Sequence, residues 1–134
     1  MNAKPQTGLT SRWMVVAGAL AGAFGVAFAA AAAHRAETFA AAASMLLAHA
    51  PVLLILGFGG AARLRFGTVC ASLVIAGLVL FAGDIGLRGF VGSGLFAFAA
   101  PIGGSLLIVS WLAIAFAALF ARRNDNDADG GKDA

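Results

Sequence analysis

Few polar side chains are embedded in the apolar runs of this chain, and they bound the chemistry open to it. His49 falls near the middle of an apolar run over 39–62. An ionisable residue at such a place is costly to bury and points to function by default. The structural alternative is a neutral imidazole bonded to a backbone carbonyl released by Pro51, because histidine is the ionisable side chain most easily kept neutral. Asp84 and Arg88 stand four residues apart. On a helix that spacing puts them on one face, where they would pair and serve structure. A sharper expectation is that His34, Asp84, Arg88 and the turn Pro101-Ile-Gly103-Gly104 converge at one end of the molecule. They would then form a polar cleft with His49 at its floor.

Other chemistries lack their residues. His34 and His49 differ in depth by about 20 Å at 1.5 Å per helical residue, too far for both to hold one haem iron. A zinc site at His34 and Asp84 would lack further ligands. The chain has no glycine-rich phosphate loop, nucleophile elbow or paired catalytic carboxylates. No catalytic residue, metal or cofactor is therefore expected. The single cysteine, Cys70, cannot form an intramolecular disulfide and reads as a small packing residue.

The elements that must position these residues follow from composition. Of 134 residues, 61% are hydrophobic and only 11% charged, and the mean hydropathy is +0.94. A soluble domain of this size could not hide so much apolar surface. Four apolar runs, 13–33, 39–62, 66–86 and 95–121, are each long enough to cross a hydrocarbon core of about 30 Å as a helix. Of the nine basic residues, Lys4, Arg12, Arg63, Arg65, Arg122, Arg123 and Lys132 fall at the N-terminus, the second connection and the C-terminus. Only Arg35 and Arg88 fall at the first and third connections. That alternation predicts four spans with both termini in the cytoplasm. The pI near 10.0 does not indicate nucleic acid, since no basic stripe with interleaved aromatics occurs. Anionic lipid headgroups explain it better.

Residues 1–12 read as a cytoplasmic tail, 13–121 as the membrane domain and 122–134 as a disordered Asp-, Asn- and Gly-rich tail. The alanines before His34 resemble a signal-peptide cleavage site. The run ahead of them is longer than the roughly 7–15 residues of a signal core, so a retained span is expected. Gly18, Gly22 and Gly25 present a small-residue packing face. The short connection 34–38 forces a helical hairpin. Pro51 predicts a kink near Leu47. The third connection is rich in glycine and phenylalanine, and Pro101 is suited to be the first residue of the last helix.

The residues also resemble a family. The run closing on Ala33-His34, the pair His49-Ala50, the segment Phe81-Ala-Gly83 and the motif Pro101-Ile-Gly103-Gly104 with Trp111 occur in order. In this the chain resembles the YgdD-like small membrane proteins, the DUF423 family. Three departures stand beside the likeness: alanines replace a Gly-Ala-Phe-Gly-Ala segment before the first histidine, Asp84 replaces a serine, and no tyrosine precedes the second histidine. The resemblance implies a four-helix integral membrane protein and carries no established activity. Trp111 joins the three glycines as a candidate packing residue.

The expected fold is an all-α four-helix membrane bundle in a bacterial inner membrane. Three functions remain open. One is a non-enzymatic membrane module that packs against lipid, a second copy or a membrane protein partner, with His49 and Asp84 buried and lining no cavity. Another is a small transporter or channel with His49 and Asp84 on a proton-sensitive path. The third is a membrane enzyme or cofactor carrier.

Overall fold

The computed structural model describes residues 11–34 and 37–121, and these contain helices and no strand. The expectations for 1–10, for Arg35 and for the tail 122–134 lie outside the described residues. Helix α1 is Arg12–His34, α2 is Thr38–Ile55, α3 is Gly67–Val91 and α4 is Ala99–Leu119. A π-helical segment, Leu56–Gly60, and a short helical turn, Ala61–Arg63, continue α2, giving a span of 26 residues. All four spans are long and apolar enough to cross a membrane. By length and composition the chain is a multi-pass membrane protein.

The helices pack in chain order, α1 on α2, α2 on α3 and α3 on α4. Consecutive contacts dominate, so the four helices form a row, and side-chain contacts of α1 on α3 (Phe28 over Gly86) and of α2 on α4 (His49 with Trp111) cross it. The inner helices α2 and α3 are the better buried, and α1 and α4 are edges. Met14, Leu46, Leu53, Val74, Leu78 and Leu107 belong to the shared core. Small residues permit the close crossings. A Cβ on Gly18 would stand 3.0 Å from the Ala50 carbonyl, and one on Gly25 would stand 2.7 Å from Leu47. A Cβ on Gly22 would meet only the Ala50 Cβ, at the looser distance of 3.8 Å. Between α3 and α4, a Cβ on Gly103 would lie 2.5 Å from the Phe81 backbone nitrogen and 2.8 Å from the Gly77 carbonyl. Backbones this close gain dispersion contact that larger side chains would forbid.

Element boundaries depart from expectation at three places. Helix α2 stays α-helical through Pro51 to Ile55, and the non-helical dihedrals fall at Phe58 and at Gly59, where φ is 111°. The break follows the Gly-Phe-Gly-Gly stretch rather than the proline near Leu47. The carbonyl of Gly57 accepts the backbone N–H of Ser11 at 2.9 Å, which ties the start of α1 to this break. Helix α3 runs on to Val91 instead of ending at Gly86, and stops at Gly92, whose φ is 82°. Glycines 86 and 89 persist inside it because the rings of Phe28 and Phe39 lie where their side chains would be. Helix α4 begins at Ala99, two residues before Pro101, so the proline lies in the first turn, where its missing N–H costs little.

One end of the row thus holds Ser11, the break at 56–60, the turn Leu64–Phe66 and the close of α4. The opposite end holds His34, the start of α2, the end of α3 and the connection 92–98. There Phe28, Phe39 and Phe90 cluster, with ring centroids 5.0 to 6.3 Å apart.

Candidate functional site

The polar residues singled out from the sequence fall into two separate clusters. The first joins α2 to α4 in the middle of their spans. His49 is 4% exposed. Its Nε2 accepts the indole N–H of Trp111 at 3.0 Å. An indole nitrogen only donates, so Nε2 carries no proton and the proton resides on Nδ1. Nδ1 then donates to the Met45 carbonyl at 2.7 Å. The imidazole is neutral in this arrangement, and both of its nitrogens are engaged. The acceptor is Met45, one turn back along the same helix, not the Leu47 carbonyl that Pro51 releases. The rings of His49 and Trp111 pack with centroids 5.9 Å apart.

The second cluster secures the end of α3. Because α3 reaches Val91, Asp84 lies about two turns inside the helix rather than one. Its carboxylate is fully buried, and Oδ2 accepts the Arg88 Nε–H at 2.7 Å. Oδ1 accepts the backbone N–H of Leu95, also at 2.7 Å. The chain reverses at Gly92 and folds back along the last turns of α3. Irregular backbone at membrane depth needs partners within the protein, and Asp84 provides one. Gly94 lies directly over the pair, and a Cβ there would strike Asp84 Oδ1 and stand 2.7 Å from the Arg88 guanidinium. Arg88 is half-exposed. Among the described residues no buried side-chain nitrogen or oxygen lacks a partner.

The expected cleft does not open at Asp84, because Arg88, Gly94 and Leu95 close over its carboxylate. His34 is exposed on the last turn of α1. The carbonyl of Pro101 accepts the Ser105 hydroxyl at 2.9 Å. Gly103 is spent on the α3 crossing, and a Cβ on Gly104 would meet the Phe81 ring at 3.8 Å. The three main depressions among the described residues are open grooves, and none of them is lined by His34, His49, Asp84, Arg88, Pro101, Gly103 or Gly104. The most apolar, about 400 Å³, is a groove between α1 and α3 floored by Leu46 and Leu53. Among the described residues no three of His, Cys, Asp and Glu gather as a metal site.

Sequence reasoning missed the bond between His49 and Trp111 and the use of the Leu95 amide. A signal existed for the first. Tryptophan favours membrane interfaces, so one in the middle of a span implies an acceptor for its N–H. For the second, nothing local marks which backbone amide folds back to Asp84.

A family model described as "Protein of unknown function (DUF423)" matches residues 11–104, more than half of the chain. No curated protein and no solved structure matches.

Proposed function

The chain belongs to the DUF423 family of proteins of unknown function, and from that premise we propose that it is a non-enzymatic membrane module. It sits in a bacterial-type inner membrane with both ends in the cytoplasm and acts by packing against lipid or a membrane partner. The observation that carries this reading is the full commitment of His49 and Asp84, both buried inside the spans, to structural bonds. His49 has no free ring nitrogen, and the Asp84 carboxylate is closed off by Arg88 and Leu95. A proton path needs groups that can release and regain protons along a wetted route. The three main grooves among the described residues are lined mainly by apolar side chains. The orientation rests on the basic residues at the Ser11 end, Arg12, Arg63 and Arg65, set against Arg88 at the other.

Reconstitution into liposomes loaded with a pH-sensitive dye tests the reading. Under an imposed potassium diffusion potential, proton flux is expected to equal that of empty vesicles. A flux that disappears in His49→Ala would instead establish the protein as a transporter or channel.

A further inference from the structure

We propose that the cavity at the Arg65 end of the molecule holds the headgroup and glycerol region of an anionic phospholipid. The cavity, about 220 Å³, is lined by Arg65, Phe66, Phe116, Ala117 and Phe120. It joins the turn before α3 to the last turn of α4. Arg65 stands at its rim with its guanidinium 5.7 Å from the Phe66 ring centre. Phe116 and Phe120 pair one helical turn apart, with centroids at 4.8 Å. Each of the three phenylalanines is more than half exposed. The arrangement therefore presents one cation above an apolar wall, at the level where a span meets the headgroups.

The turn before α3 is what brings Phe66 to this place. Its φ of 64° is the one left-handed value among the described non-glycine residues. That conformation is costly for a bulky side chain. It follows from a tight turn, because Gly67 lies against the backbone of Ala61, where a Cβ would collide. Glycine or asparagine would relieve the strain at 66, yet a phenylalanine stands there and its ring forms a wall of the cavity.

The chemistry selects the occupant. A guanidinium matches phosphate oxygens with paired donors. Aromatic rings beside it suit the glycerol and upper acyl carbons. Arg12 and Arg63 lie at the same end of the row and raise the local concentration of anionic lipid. The inference rests on the reading of the chain as a membrane-embedded packing module, and it names the lipid and the place.

The test uses the full chain in neutral detergent with dioleoylphosphatidylglycerol or dioleoylphosphatidylcholine, and native mass spectrometry to count retained lipid. Phosphatidylglycerol is expected to be retained in preference. Arg65→Ala is expected to lower its bound fraction about fivefold, the effect of one basic residue near an anionic surface. Arg63→Ala, exposed and outside the cavity lining, is expected to leave retention close to that of the unaltered chain. Phe66→Gly should raise the melting temperature and still lower retention, which separates binding from folding. Equal losses from Arg65→Ala and Arg63→Ala would reduce the site to general surface charge and overturn it. Displacement by inorganic phosphate, with no preference between the two lipids, would overturn it in favour of a free anion. An effect of Arg65→Ala seen only after deletion of 124–134 would overturn it in favour of the acidic tail. A proton flux through His49 would defeat the module reading and leave this lipid site standing, whereas lipid retention indifferent to Arg65 would do the reverse.

Discussion

At the scale of single residues, the polar atoms inside the spans serve as fasteners. His49 and Trp111 connect α2 to α4, which are not neighbours in the row. Trp111→Phe keeps the ring bulk and removes the donor, and is expected to cost about 1 kcal/mol. Denaturant titration in micelles measures this, and a double-mutant cycle with His49→Ala should return a coupling near 0.6 kcal/mol. A coupling of zero would contradict the bond. Asp84 holds both Arg88 and the Leu95 amide, so its loss leaves two donors without their acceptor. Asp84→Ala is expected to speed hydrogen exchange and proteolysis across Gly92–Phe98 more than Asp84→Asn, which still offers an oxygen to Leu95. Equal protection in both variants would rule out the latch. The pairing of Asp84 with Arg88 was legible from spacing alone, since a helix places i and i+4 together. The amide of Leu95 was not, because no periodicity describes a chain that folds back.

At the scale of elements, helix existence was legible and helix ends were not. Apolar length identifies a span, whereas its termination depends on what neighbours allow. Gly89 reads as a loop until the ring of Phe39 occupies the space beside it. Pro51 reads as the main disturbance of α2, yet the dihedral break falls at Phe58 and Gly59. A proline's lost bond can be absorbed in a helix held on both sides, and a run of glycines next to the Ser11 amide cannot hold regular geometry as well. The α3–α4 crossing depends on Gly103. Gly103→Leu should destabilise the fold by about 3 kcal/mol or more, because it drives a side chain into the Phe81 backbone. Gly104→Ala, facing only the Phe81 ring, should cost much less, and thermal unfolding in detergent compares the two. Phe66→Gly should stabilise by about 1 kcal/mol through release of the left-handed strain.

At the scale of the whole molecule, a row of four spans leaves α1 and α4 facing lipid over most of their surface, which suits a chain with so few charges. Its orientation can be read by thiol labelling. Ser11→Cys and Ser93→Cys lie at opposite ends, and the native Cys70, 2% exposed, adds little background. In inverted vesicles an impermeant maleimide is expected to reach position 11 and spare position 93, and the opposite pattern would reverse the topology. Composition and charge determined by themselves that this chain forms apolar helices of spanning length. Those properties depend on transfer of each segment from water to hydrocarbon, which is nearly additive along the sequence. The packing order, the partner of Trp111, the closure over Asp84 and the cavity beside Arg65 were decided only by the tertiary structure. Each depends on which distant backbone approaches within contact distance, and in a chain built so largely of alanine, glycine, leucine and phenylalanine many such approaches look alike until side chains interlock.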